Sequence, residues 1–181
     1  MAMPTREFLE LAPMLALLVW AAAVDARTGR IPNWLTGALA AAGLVQSALV
    51  YASVTPGQAW AGLAVGFALT FVLFALGGMG GADVKLVAGI GAWVGPARVL
   101  EIFAAETLIG MLIVITQAML ARRIGTLVRG SAVLVMNAAV SGDLTCPEDQ
   151  HNDAAAGRRL PYAVPALLAT IAVLASGRRW L

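Results

Sequence analysis

Apolar residues in this chain come in continuous blocks, and polar residues gather between the blocks rather than alternating with them. The first three blocks are Leu9 to Val24, Leu35 to Val54 and Trp60 to Leu76. A short fourth, Val84 to Val94, is closed by Gly95-Pro96. A fifth runs to Leu120 and stops at Arg122 and Arg123, and a sixth runs from Leu160 to Ala175. Unbroken apolar runs of this kind predict helices in lipid. Strands of a membrane barrel would alternate instead. The pattern predicts an all-α, polytopic membrane helix bundle with about six transmembrane segments, because lipid requires each backbone polar group to find its partner within a helix or a closed barrel.

The boundaries add detail. Arg6, an apolar run and Ala21-Ala22-Ala23 also fit a signal peptide. Glu7 and Glu10 argue against it, so the first block is taken as a retained helix. Gly29 and Pro32 break the chain after it, and Thr55-Pro56-Gly57 turns it after the second block. As a helix starting at Val84, the fourth block would rise only about 16 Å, against a hydrocarbon core of about 30 Å. The fifth helix starts near Ala97 or near Phe103. Arg98 and Glu101 favour Phe103, which puts Glu106 at the interface as a paired polar residue of the bundle. Leu127 to Val140 is too short to span and fits an interfacial helix, and Ser141 to Arg159 fits a solvated loop. Residues 1–181 therefore form a single membrane domain, with residues 121–160 as a cytoplasmic loop carrying the interfacial helix.

Composition sharpens this. The chain is 60% hydrophobic and 12% charged, about half the charge of a soluble domain. A net charge of +2 from scattered basic residues offers no nucleic-acid surface. One cysteine and one histidine exclude an intrachain disulfide and a metal site built from several of either. No metal and no cofactor are expected. Sorted by loop, Arg27, Arg30, Lys85, Arg122, Arg123, Arg129, Arg158 and Arg159 fall on one side and Arg6, Arg98, Arg178 and Arg179 on the other, which assigns the first side to the cytoplasm.

Two aspartates stand out on that side. Gly77 to Lys85 reads G-G-M-G-G-A-D-V-K, so Asp83 follows a glycine-rich turn at the membrane boundary. Such a group either caps the helix after it or is functional. Asp25 ends the first block at a matching depth. Two carboxylates sharing one proton can hydrolyse an amide, one activating water and the other donating a hydrogen bond to the carbonyl. A serine mechanism would need His151, which lies in the polar loop. Lys85 either steadies a carboxylate or snorkels to the interface, and Pro32 and Asn33 turn the loop back to the membrane. The competing classes are a transporter or proton-conducting subunit and a non-catalytic assembly subunit.

Asp25 followed by Ile31-Pro32-Asn33, and M-G-G-A-D-V-K-L from Met79 to Leu86, resemble the two signatures of type IV prepilin peptidases, membrane aspartic proteases of the GxGD class. Leu160-Pro161-Tyr162-Ala163-Val164-Pro165 is similar to the family's segment opening the last helix. The resemblance implies an aspartic endopeptidase of the bacterial inner membrane. Its active site would face the cytoplasm and cleave leader peptides from prepilin-like precursors for pilus or secretion-system assembly. It further implies Asp25 and Asp83 as the catalytic pair, with Gly80, Gly81, Lys85, Pro32 and Asn33 in support. Its partners would be those precursors and the lipid bilayer. The chain resembles the short, peptidase-only form associated with Flp pili, without the paired CxxC motifs and methyltransferase activity of larger members. It departs at Ala82, where the family has glycine. Alanine forbids backbone angles that glycine permits, which bears on efficiency more than on identity.

Overall fold

The computed structural model describes residues 5–49, 53–76, 79–120 and 162–176. These contain α1 (Thr5–Thr28), α2 (Asn33–Ser47), α3 (Pro56–Ala75), α4 (Gly81–Leu120) and α5 (Ala163–Ala175). The helix α4 is broken at Gly95, where φ is 80° and ψ 175°. Only glycine adopts such angles without strain, and Pro96 then opens the second arm, where its missing N–H removes no helical bond. The two arms of α4 are the fourth and fifth apolar blocks, so the described helices follow the order the blocks predict. Three stretches, Glu10–Thr28, Pro56–Ala75 and Gly81–Thr116, are long and apolar enough to cross a membrane. The helices α2 and α5 are shorter, at 15 and 13 residues. The expected interfacial helix at Leu127 to Val140, the loop to Arg159, and residues 77–78 of the glycine-rich stretch lie outside the described residues.

The first arm of α4 is the axis of the bundle. Val84 and every residue from Leu86 to Gly95 are buried, as a helix apolar on all sides requires. Between helices in lipid the attraction comes from close packing, because leaving lipid confers no hydrophobic gain. The contact with α3 is built accordingly. A methyl group on Gly62 would strike the main chain at Gly91, and one on Gly91 would strike the main chain at Gly62. On the other side Trp93 Nε1 donates to the Leu39 carbonyl of α2 at 2.8 Å, and Gly43 leaves room for the indole. The buried residues of α1, Leu11, Met14, Leu18, Ala21 and Ala22, follow helical spacing, and Asp25 continues the same stripe. Outward faces stay apolar, as with Trp20, Trp60 and the ring contacts Phe67–Phe71 and Phe71–Phe74.

Several boundaries differ from expectation. The second helix ends at Ser47, not Val54. The chain then turns, and the Ser53 N–H and Oγ both donate to Glu10 Oε2, at 3.2 and 2.6 Å, while Gln46 Nε2 donates to the Glu10 carbonyl at 2.8 Å. Glu10, out of place in a signal peptide, ties α1 to the α2–α3 connection. The third helix starts at Pro56, because Thr55 and Gln58 form a capping box. The fourth begins at Gly81 rather than Val84, so Asp83 is its third residue and not its cap. The fifth begins at Pro96 rather than Phe103.

Glu106 is packed inside the bundle, at 2% exposure. In a straight helix Asp83 and Glu106 would stand about 35 Å apart, yet their carboxyls interact electrostatically. The arms of α4 therefore fold back on each other at Gly95. Asp83 and Glu106, at nearly equal distances along the chain from that break, meet at the same level of the bundle.

Candidate active site

Asp25 is placed by the way α1 stops. Gly29, with φ of 63°, donates its N–H to the Asp25 carbonyl at 2.7 Å. This is the five-to-one bond of a left-handed cap, and it leaves Asp25 in the last helical turn. Thr28 Oγ1 secures the turn by donating to the Val24 carbonyl at 2.8 Å and accepting the Arg30 N–H at 3.4 Å. The Asp25 side chain is 6% exposed. Its Oδ2 accepts the N–H of Ala163, the first residue of α5, at 3.0 Å. The first turn of a helix has N–H groups without intrahelical partners, so α5 supplies what a buried carboxylate needs and α1 caps α5 in return. Pro165 lies in that same first turn, where a proline costs no hydrogen bond.

Asp83 is placed by the start of α4. The Gly80 carbonyl accepts the N–H groups of Asp83 and Val84, at 3.1 and 3.3 Å. The Gly80 backbone amide also interacts with the Asp83 carboxylate. A β-carbon on Gly80 would sit 2.8 Å from Asp83 Oδ2, so glycine is what allows the carboxylate to fold over its own turn. Gly81 has the Phe74 ring beside it, with 3.4 Å to a β-carbon placed there. Position 82 is helical, since Gly95 alone departs from helical angles within α4. The alanine there adopts nothing that glycine would be needed for, so the departure from the family pattern carries no backbone cost.

The two aspartates, far apart in sequence, lie within electrostatic reach of each other. Glu106 interacts with Asp83, and Tyr162, preceding α5, interacts with both Glu106 and Asp83. Neither oxygen of Glu106 has a hydrogen-bond partner among the described residues.

Of the supporting residues, Lys85 turns away from the carboxyls. Its Nζ donates to Asn33 Oδ1 at 2.9 Å, joining the start of α4 to the start of α2. Pro32 is the N-cap of α2, its carbonyl accepting from Leu35 and Thr36 at 3.0 and 3.4 Å. Lys85, Asn33 and Pro32 thus fix the frame around the carboxyl pair. Glu106, Tyr162 and the Ala163 amide lie beside the two aspartates although the sequence reading did not place them there. A signal for Glu106 existed in the stripe Val99, Ile102, Glu106, which has the spacing of one helix face. A small cleft lined by Glu10, Gln46, Ser53 and Trp93 lies away from the aspartates, at the other end of α1. No group of three or more histidine, cysteine or acidic side chains that could hold a metal ion is found among the described residues.

Two carboxyls, Asp25 buried with an amide donor and Asp83 half-buried over a glycine turn, have the chemistry to share a single proton and act on a water molecule. A model of the type IV leader peptidase family matches residues 12–115, a span containing Asp25, Asp83 and Glu106. Neither a curated protein nor a solved structure matches the chain.

Proposed function

Given that the chain belongs to the type IV leader peptidase family, we propose that Asp25 and Asp83 are its catalytic pair. The family is one of intramembrane aspartic proteases acting on prepilin-like leader sequences, and this chain is an aspartic-type endopeptidase of that kind. The observation that carries the assignment is that Asp25 and Asp83 lie within electrostatic reach of each other although they stand 58 positions apart in the chain. In the proposed cycle one carboxylate takes a proton from water as the oxygen attacks the scissile carbonyl. The other, protonated, donates to the carbonyl oxygen. When the tetrahedral intermediate collapses, a proton passes to the leaving nitrogen, giving a free carboxylate on the leader and a free amine on the product. Lys85, Asn33, Pro32, Gly80 and Gly81 support the pair by position.

The reading extends to topology. In it six helical segments, counting the two arms of α4 separately, cross the inner membrane. The carboxyl pair faces the cytoplasm, where a leader not yet exported would meet it. The distribution of arginine and lysine between the two sides supports this. Co-expression with pilin-like precursors, followed by mass spectrometry of the membrane fraction, tests the function. Each true substrate should lose the mass of its leader, and precursors unchanged across a panel would sink the proposal. Labelling a cysteine introduced at Gly29, with Cys146 replaced, tests the side. An impermeant reagent should reach it only after the membrane is opened.

A further inference from the structure

Glu106 is nearly inaccessible, and both of its oxygens lack hydrogen-bond partners among the described residues. A buried carboxyl group left so is costly, and each such group in a native structure calls for a physical reason. Glu106 is also placed with care. The Gly95–Pro96 break folds the second arm of α4 back until Glu106 comes within electrostatic reach of Asp83. Tyr162, which is 37% exposed, interacts with both carboxyls.

The reaction brings a group with the opposite deficiency. A peptide cleaved at its backbone must be locally extended, so the amide N–H groups beside the scissile bond give up their helical acceptors. In an apolar site each of those donors needs a replacement. We propose that Glu106 is a substrate-binding residue, whose carboxyl oxygens accept hydrogen bonds from the backbone N–H groups flanking the scissile bond of the extended substrate. The orphaned acceptor and the orphaned donors satisfy each other, and the peptide is held with its carbonyl against Asp25 and Asp83. Recognition of main chain rather than side chain also lets one site take leaders of differing sequence. The inference rests on the catalytic pair proposed above.

The test uses the full chain in detergent and a set of leader peptides. In each peptide one amide flanking the scissile bond is replaced by an ester, which removes a single N–H. With wild-type protein, at least one flanking ester should lower kcat/KM by about tenfold, the effect of leaving a buried acceptor without its donor. In Glu106→Leu, kcat/KM for the all-amide peptide should fall by a similar factor, and the same ester should then cost nothing further. Glu106→Gln, which keeps one carbonyl acceptor, should lie between and serves if the leucine variant does not accumulate. An ester effect that is absent in wild type, or equally large in wild type and in either Glu106 variant, overturns the proposal. Asp25→Asn and Asp83→Asn are run beside these variants. Activity in either aspartate variant would instead remove the catalytic pair, so the two failures are told apart.

Discussion

Replacing Gly91 by alanine tests the packing that carries the site. The methyl group would meet the carbonyl oxygen and carbon of Gly62, then the Leu63 nitrogen, all of them main chain. A flexible side chain could move aside, but two helix backbones in contact cannot do so without separating. Overpacking of this kind costs about 3 kcal/mol, while alanine in place of a helical glycine returns about 1 kcal/mol. The net loss of about 2 kcal/mol corresponds to a Tm lower by about 4–8 °C for a chain of this size. Gly110, on the second arm of the same helix, has nothing within 4 Å of a β-carbon. Gly110→Ala should therefore show only the propensity gain and raise Tm by about 2–4 °C. Thermal unfolding in detergent, followed by tryptophan fluorescence, reads both. Opposite signs support the close α3–α4 contact. Two variants stabilised alike would refute it, and with it the route by which α3 holds the first arm and Asp83 in place.

Three further predictions concern the site. Gly80→Ala should leave Tm nearly unchanged, because the β-carbon meets only the mobile end of Asp83; kcat should nonetheless fall by about 100-fold, as displaced catalytic groups do. Ala82→Gly should restore the family's residue without raising kcat, since position 82 is helical, and should lower stability by about 1 kcal/mol in a thermal melt. The rate of leader cleavage across pH should be bell-shaped. Acid protonates the carboxylate that activates water, and alkali removes the proton that is donated to the carbonyl. Cleavage that keeps rising until the protein unfolds in alkali would exclude a shared proton.

What could be read from the sequence was what neighbouring residues decide. Gly29 and Pro32 end α1 and start α2 by their own backbone preferences, and Gly95-Pro96 breaks α4 for the same reason. The motifs around Asp25 and Asp83 could be found because each is contiguous. The start of the second arm was missed because Arg98 and Glu101 look unsuited to a membrane helix. In the structure Arg98 is buried at 7% exposure, and both residues have interaction partners. The nearness of Glu106 to Asp83 could not be read either, since it depends on how that arm folds back at Gly95. The Ala163 amide could not be found from residue type at all. It is a main-chain donor delivered by a distant helix start, and only packing brings it to Asp25.

The central claim is that Asp25 and Asp83 act as one unit in cleaving a leader peptide, and comparing single and double variants tests it most directly. Purified wild type, Asp25→Asn, Asp83→Asn and the double variant are assayed for release of leader from a prepilin-like peptide. Groups that work as a unit are not additive. Each single variant should therefore be as inactive as the double, while all remain folded in the membrane fraction. Substantial cleavage by either single variant, or a double variant much weaker than both singles, would contradict the account.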